Sequence, residues 1–285
     1  MIIAGCGYTG LRLARSQQQA FGIVASEEGV QRLEQHRIDG ARWDLDAQQA
    51  PPTLPPNRAL VYLIPPPRQG DDDSRLAHLL DALPTPPTRL IYASTTGVYG
   101  NRNGALVHES DAPAPDSERA KRRLAAETRV REWASANDLP WVILRIPGIY
   151  GPGRLQLATV QGSRPMLRRE EAGPGNRIHV DDLVAVIRAA TTTPHVNEIY
   201  NVGDGDTMTN TEFVGLIAGQ LGLPAPPATT RAALKKLVTA RAWSFLRESR
   251  EVDTRKMRDV LGVAPQFRDP REGIAASLNE MAKSG

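Results

Sequence analysis

The feature that most constrains the fold is a series of short apolar segments, each followed by a stretch with helical character. The apolar segments are residues 2–5 (IIAG), 21–26 (FGIVAS), 59–67 (ALVYLIPPP), 88–95 (TRLIYAST) and 141–151 (WVILRIPGIYG). Near-continuous apolar runs are typical of parallel strands that are buried on both faces of a sheet. Strands that alternate with helices predict a Rossmann-type, doubly wound α/β fold with right-handed crossovers.

The length of the chain allows more than this sheet. Its 285 residues are enough for one large domain or two interlocked ones. The alternating pattern loosens after residue 151. We therefore predict a Rossmann domain from residues 1–150 and about 176–202, with a smaller α+β substrate lobe from about 151–175 and 203–285. Ligands of such folds bind beyond the carboxyl ends of the strands, which is where this lobe would lie.

Several classes of protein are disfavoured by the composition. The single cysteine, Cys6, excludes a disulfide framework within the chain, and we interpret it as an apolar filler. Asp71–Asp73 begin a predicted helix and are interpreted as caps, so no metal site is predicted. The net charge is only +3, and the leucines and alanines of 231–250 recur at helical spacing, so its basic residues are interpreted as a solvated helix face rather than a nucleic-acid site. No apolar stretch approaches about 18 residues, so we expect a soluble, cytoplasmic protein.

The first apolar segment is followed by GCGYTG, which has the spacing of a dinucleotide-binding loop. Gly5 would permit the tight turn, Gly7 would let the backbone approach a pyrophosphate, and Gly10 would let helix and strand pack closely. Backbone N–H groups at the start of the following helix would then face the negative charge. Tyr8 and Thr9 belong to the same predicted cofactor-binding loop.

The end of the second segment is where such folds distinguish NAD from NADP. Ser26, Glu27 and Glu28 stand there, and Glu28 is close to the usual spacing for a residue that binds the ribose 2′-OH. No arginine in this loop is placed to receive a 2′-phosphate. The pattern therefore favours NAD weakly over NADP, although both glutamates could equally serve the first turn of the next helix.

Six motifs occur in an order that identifies a family resemblance. They are GCGYTG, WDLD, YASTTGVYG, LRIPGIYGPGR, RIHVDDL and YNVGDG, spread between Ile2 and about Glu280. This ordered set resembles the extended branch of the short-chain dehydrogenase/reductase superfamily, the NAD-dependent epimerases and dehydratases of nucleoside-diphosphate sugars. The G-x-G-x-x-G loop and the proline-rich LIPPP segment are similar to those of an atypical bacterial subgroup.

The resemblance implies roles for particular positions. Asp44 and Leu45 would hold the adenine, and Ile64 and Pro65 would lie beside the cofactor's ribose and pyrophosphate. Ser94 and Pro147 would lie near the nicotinamide, Thr95 would be the catalytic hydroxyl, and Lys121 would bind the nicotinamide ribose. The candidates on the substrate side are Tyr99, Glu109, Arg154 and Arg250. The resemblance also implies a homodimer formed by helices at about 72–83 and 117–135.

The chain departs from the family at the catalytic tyrosine, which would stand four residues before the lysine. That position is Ser117, whose alcohol cannot replace a phenol as a general base. An alternative alignment on Glu127 places Arg119 and Arg123 in the tyrosine and lysine positions. Both alignments lack the tyrosine, and only the first gives Lys121 a role.

Two functions remain open from the sequence. The first is an NAD(P)-dependent epimerase-, dehydratase- or reductase-like enzyme that acts on a nucleoside-diphosphate sugar or a related small molecule. Thr95, Tyr99, His108 or Glu109 would then supply the altered acid/base set. The second is a non-catalytic NAD(P)-binding sensor or scaffold, which the missing tyrosine favours.

Overall fold

The computed structural model describes residues 1–47, 49–162 and 164–284, with side chains except at 241 and 284. The strands are, in chain order, β1 (Ile2–Ala4), β2 (Phe21–Val24), β3 (Asp39–Arg42), β4 (Ala59–Tyr62), β5 (Arg89–Thr95), β6 (Leu106–Val107), β7 (Trp141–Ile146), β8 (Gly148–Tyr150), β9 (Met166–Leu167), β10 (Arg177–His179), β11 (Glu198–Asn201), β12 (Ala228–Thr229) and β13 (Glu251–Val252). The α-helices are α1 (Tyr8–Arg15), α2 (Glu27–Gln35), α3 (Ser74–Ala82), α4 (Glu118–Ala136), α5 (Leu157–Gln161), α6 (Val180–Thr192), α7 (Asn210–Gln220), α8 (Arg231–Leu237), α9 (Ala240–Leu246), α10 (Arg255–Asp259) and α11 (Pro270–Ser284).

A parallel sheet forms the centre of the molecule, and its strand order is β11-β7-β5-β4-β1-β2-β3. The chain moves outwards from β1 in one direction and then returns to start β4 on the other side of β1. This reversal opens a crevice beyond the carboxyl ends of β1 and β4, where doubly wound sheets bind ligands. The predicted Rossmann-type fold is confirmed.

Both faces of the sheet are covered, which explains the continuous apolar strands. One face packs with α1 and α6, through residues such as Leu13 and Leu183. The other face packs with α3 and α4, through Leu79 and Val130. Because these side chains are almost completely removed from water, each contributes on the order of 2 kcal/mol of burial free energy.

The later part of the chain builds a second, smaller core. Tyr150, Phe213, Ile217 and Ile274 pack together away from the sheet. Met257, however, packs into the core of the sheet itself. The predicted division into two lobes therefore stays a prediction, because the second lobe contributes residues to both cores.

The segment NRIHVDDL is divided between a strand and a helix. Residues Arg177–His179 form strand β10, which pairs in parallel with β8, and helix α6 begins only at Val180. The third strand of the chain, β3, ends at Arg42, so the motif WDLD lies in the loop that follows it. In both cases pairing with a neighbouring strand decided the boundary, which local propensity does not encode.

The structure also bears on the excluded classes. Asp73 caps α3, and its side chain accepts a hydrogen bond from the backbone N–H of Leu76 at 3.1 Å. Among the described residues no group of three or more potential metal ligands is assembled. Over the same residues, none of the helices has the length and apolar character needed to cross a membrane.

Candidate functional site

A cleft of about 670 Å³ lies beyond the carboxyl ends of β1, β2, β4, β5 and β7. It is lined by most of the residues predicted to bind a cofactor: Gly5, Gly7, Tyr8, Thr9, Gly10, Ser26, Asp44, Leu45, Ile64, Pro65, Ser94 and Pro147. Thr95 and Arg154 also line it. The strand ends and the loops between them bring these residues together from widely separated parts of the sequence.

The glycine loop at one wall of the cleft has the geometry that its spacing predicts. Gly5 has φ of +90°, and a side chain there would meet Ile64 at about 2.9 Å. A Cβ at Gly10 would lie 2.6 Å from the carbonyl oxygen of Gly5, so helix and strand could not pack as they do. A Cβ at Gly7 would meet nothing within 4 Å. Two of the glycines are thus required by packing, whereas Gly7 leaves open space beside the start of α1.

The end of the cleft that is predicted to hold the adenosine is formed where β2 and β3 finish. Ser26 caps α2, and its Oγ accepts a hydrogen bond from the backbone N–H of Gly29 at 3.3 Å. Asp44 Oδ1 accepts one from the backbone N–H of Asp46 at 3.0 Å, which closes a turn at the edge of the cleft. The Asp46 carboxylate is engaged by Arg75, whose Nε lies 2.7 Å away.

Glu28 is placed differently from the prediction, because it does not line the cleft. Hydrogen bonds from its own backbone N–H and from the Ser26 hydroxyl hold the pKa of its carboxyl below the usual value. Arg32, on the same helix, does line the cleft, and Arg42 Nη1 lies 3.5 Å from Glu27. The loop itself has no arginine, as the sequence indicates, but helix α2 brings Arg32 to this wall of the cleft.

The other end of the cleft, at the carboxyl ends of β5 and β7, is where the resemblance implies a reaction, and it is called the reacting end below. Thr95 accepts a hydrogen bond at Oγ1 from the backbone N–H of Gly97 at 3.1 Å. Ser94 donates its hydroxyl proton to Glu127 Oε1 at 2.5 Å. None of the described residues lining the cleft is a histidine or lysine, and the lining carboxylates Asp44 and Asp46 follow β3 at the opposite end.

Helix α4 decides between the two alignments of the missing catalytic pair. Lys121 does not line the cleft, and its side chain is 54% exposed and bonded to Glu118 at 2.8 Å. Ser117 is the N-cap of α4 and accepts a hydrogen bond from the backbone N–H of Ala120. Arg123 lines the cleft instead. The geometry therefore favours the alignment on Glu127 and removes Lys121 from the set of cleft residues.

The two arginines in the alternative positions have well-defined contacts. Arg123 Nη1 donates to the backbone carbonyl of Ala93 at 2.8 Å and to the phenol of Tyr92 at 3.1 Å. Arg119 lies over the ring of Phe245 on α9, with its guanidinium carbon 3.7 Å from the ring centre. A guanidinium stays protonated at any physiological pH, so neither residue can act as the missing base.

A buried ion pair supports this end of the cleft from behind. Arg145 Nη2 lies 2.8 Å from Glu127 Oε2, and their side chains are 3% and 1% exposed. Glu127 is also the acceptor for Ser94, and Arg145 stacks over the ring of Tyr99. This network joins β5, β7 and α4, so it fixes the backbone that carries Ser94 and Thr95.

Three residues predicted on the substrate side lie outside the cleft. Tyr99 is buried and donates a hydrogen bond to Asn201 Oδ1 at 2.6 Å. Glu109 Oε1 accepts the backbone N–H of Asn201 at 2.8 Å. Arg250 Nη1 donates to the carbonyl of Gly100 and to Glu248, at 2.8 and 2.9 Å. These polar groups hold β11 and the loop after β5, and the structure does not bring them to Thr95.

Two further predictions concern Cys6 and His108. Burial raises the pKa of the Cys6 thiol to about 12, which agrees with an unreactive filler. His108 Nδ1 lies 3.0 Å from Asp253 Oδ2, away from the cleft.

Sequence reasoning passed over Arg32 and weighed Arg123 only as an alternative. RRLAAE places Arg123 four residues before Glu127, so the two share a helical face. The contacts of Glu127 with Ser94 and Arg145 show that this face meets the sheet. Nothing in the local sequence distinguished Arg32 from other exposed arginines. Its proximity to the cleft depends on how α2 packs against β2 and β3.

Comparisons with known proteins agree with this architecture. Residues 74–203 match the model of the NAD dependent epimerase/dehydratase family. A dTDP-glucose 4,6-dehydratase from Streptomyces griseus is 24% identical over 196 residues, which cover 66% of this chain and 57% of that protein. The matches with the first curated relatives span about half of those proteins' length.

Solved structures extend the likeness to nearly the whole chain. A functionally unknown conserved protein from Silicibacter pomeroyi DSS has a TM-score of 0.86 and 28% identity, covering 98% of both chains. The UDP-glucuronic acid 4-epimerase from Bacillus cereus, solved in complex with NAD, has a TM-score of 0.79 and 18% identity, covering 99% of this chain and 98% of that one. The predicted resemblance is confirmed at the level of the family model, which residues 74–203 match, and of the shared fold.

Proposed function

We propose that the protein binds NAD in the cleft and acts on a nucleoside-diphosphate sugar or a related small molecule without the family's tyrosine base. The observation that carries the cofactor assignment is the open space over Gly7, between a tight turn at Gly5 and a close helix–strand contact at Gly10. A glycine with no packing reason at the start of a helix fits a pyrophosphate that the backbone must approach closely.

The residues present fit a nicotinamide dinucleotide along the cleft. Ser26, Asp44 and Leu45 would hold the adenosine, the glycine loop would hold the pyrophosphate, and Ser94, Thr95 and Pro147 would surround the nicotinamide. When bound, the nicotinamide supplies a hydride acceptor. Thr95 would orient a substrate oxygen by a hydrogen bond, and Arg123 would stabilise negative charge next to it. Lys121 has no role in this proposal.

The cofactor assignment is tested by titrating the intact protein with NADH and following its fluorescence. Binding of NAD is followed by its displacement of bound NADH. We expect saturable binding of both at micromolar to millimolar concentrations, and no response to free nicotinamide. A protein that binds neither dinucleotide would overturn the proposal. Catalysis is tested separately, by incubating the NAD complex with nucleoside-diphosphate sugars and following cofactor reduction and product formation.

A second function is favoured by the reacting end of the cleft. Because the described lining residues offer no side chain that titrates near neutrality at that end, a cofactor-binding sensor or scaffold would need no further change. Such a protein would bind NAD and NADH with full affinity and convert no substrate. A product that appears at a rate above that of free solution would exclude this alternative.

The family resemblance further suggests a homodimer through α3 and α4. The exposed face of these helices is polar, with Arg129 paired to Asp72. The large apolar side chains that stand exposed among the described residues are elsewhere, at Leu106, Leu223, Leu237, Phe245 and Val260. The interface of such a dimer would be polar, as in non-obligate complexes, rather than apolar, as in obligate ones. The mass of the protein in solution at micromolar concentration distinguishes a dimer from a monomer, since one chain has a mass of 31.1 kDa.

A further inference from the structure

Two arginines approach Tyr8, the residue with which α1 begins. Arg12 is neutralised, because Asp181 lies 2.5 Å from its Nη1 and Glu280 pairs with its Nη2. Arg154 comes from the loop after β8, and its guanidinium carbon lies 4.1 Å from the centre of the Tyr8 ring. Within the described residues Arg154 has no ion pair and no side-chain hydrogen bond. The two cations therefore differ in what balances their charge.

The position of Arg154 is set by its loop rather than by an anion. Its backbone N–H donates to the carbonyl of Gly151 at 2.9 Å, which closes a tight turn. Gly151 has φ of +147°, and a side chain there would lie 2.6 Å from Tyr8 Oη. The turn thus lies against Tyr8 because position 151 is glycine. This contact places a cation at the mouth of the glycine loop.

The surroundings of this cation are already positive. Unpaired N–H groups give the start of α1 a partial positive charge, and the first turn of α1 contains no acidic residue. A lone cation is unfavourable at that end of a helix. An anion bound between Gly7 and Arg154 would balance the charge of Arg154 and that of the N–H groups at the start of α1. Gly7 leaves the room for it.

We propose that Arg154 binds the pyrophosphate of the dinucleotide from the second lobe, rather than a substrate. The inference rests on the proposed cofactor function and assigns Arg154 to the cofactor. Because the loop at 151–154 follows β8, where the chain has left the central sheet, a bound dinucleotide would tie that segment to the glycine loop. Cofactor binding would then order the loop that closes one side of the substrate space.

The experiment compares wild type with Arg154→Gln and Arg154→Lys in the full chain, by calorimetric titration with NADH, ADP-ribose and adenosine. ADP-ribose keeps the pyrophosphate and lacks nicotinamide, whereas adenosine lacks both. We expect Arg154→Gln to weaken NADH and ADP-ribose by the same factor, about tenfold or more, and to leave adenosine unchanged. Arg154→Lys should recover part of the loss. Arg15→Gln, on the exposed far end of α1, is the matched control for removal of one positive charge.

Each alternative gives a different pattern. Equal ADP-ribose affinity in wild type and Arg154→Gln would overturn the proposal, and so would a loss confined to NADH, which would place Arg154 at the nicotinamide. Wild type that fails to bind NADH would instead refute the cofactor function itself. Hydrogen exchange gives a second readout: ADP-ribose should slow exchange at 151–156 in wild type but not in Arg154→Gln. Because Arg154 is exposed, its variants should unfold at the wild-type temperature.

Discussion

The two ends of the cleft differ in how closely they keep the features of the family. At the end with the glycine loop, the turn, the close packing and the open space all follow the pattern of dinucleotide-binding proteins. At the reacting end the strand geometry and Thr95 are present, but Arg119 and Arg123 stand where the resemblance places tyrosine and lysine. The geometry at the glycine-loop end thus depends on backbone shape, whereas any proton transfer at the other end would depend on side chains.

The largest effect is expected from restoring those side chains. The double variant Arg119→Tyr/Arg123→Lys would place a phenol and an ammonium one helical turn apart, and tyrosine can keep a ring contact with Phe245. A general base contributes about 10² to 10⁴ in rate, so turnover of a nucleoside-diphosphate sugar should rise by up to that factor. Product formation with bound NAD measures it.

Ser117→Tyr is the matched control for that variant. Ser117 caps α4, so this change should give no turnover and should lower the free energy of unfolding by about 1 kcal/mol. If Ser117→Tyr alone restored turnover, the alignment on Lys121 would be correct and the geometric argument for Arg123 would fail.

The next effect concerns the support behind the reacting end. Glu127→Ala leaves Arg145 buried without a counter-charge, which should lower the free energy of unfolding by about 3–5 kcal/mol. Denaturant titration measures the loss. Glu127→Gln keeps the shape and one acceptor oxygen but loses the acceptor at the other position, so it should cost less than Glu127→Ala. A loss below about 1 kcal/mol for Glu127→Ala would show that the pair does not hold this end together.

Gly7→Val tests the binding end directly. The added side chain would occupy the open space beside α1, so NADH should bind roughly ten- to a hundredfold more weakly, because a site without room costs about 1–3 kcal/mol to overfill. The melting temperature should change little, since a Cβ there meets no protein atom within 4 Å. If a folded Gly7→Val variant bound NADH with unchanged affinity, the pyrophosphate would not bind at this loop.

The smallest effect is expected for the choice between NAD and NADP. Glu28 favours NAD from outside the cleft, whereas Arg32 on its wall favours a 2′-phosphate. We expect NAD to bind more tightly by less than tenfold, about 1.4 kcal/mol. Arg32→Gln should widen the preference and Glu28→Gln should narrow it. Tighter binding of NADP by wild type would show that Arg32 dominates.

The sequence by itself determined the parallel sheet and the glycine loop. Both depend on local properties. Continuous apolar strands must be buried on two faces of a sheet. A glycine after a strand predicts a tight turn, and Gly5 indeed has φ of +90°. The six motifs, taken in order, added the resemblance to a known family.

The tertiary structure alone decided which side chains reach the cleft. Lys121 and Arg123 are two residues apart on α4, and the rotation of that helix against β5 turns one outwards and the other inwards. Glu28 and Arg32 share α2, yet only Arg32 lines the cleft. Arg154 reaches Tyr8 because Gly151 permits a contact across 146 positions of sequence. Such choices depend on packing between distant elements, which no local pattern of residues specifies.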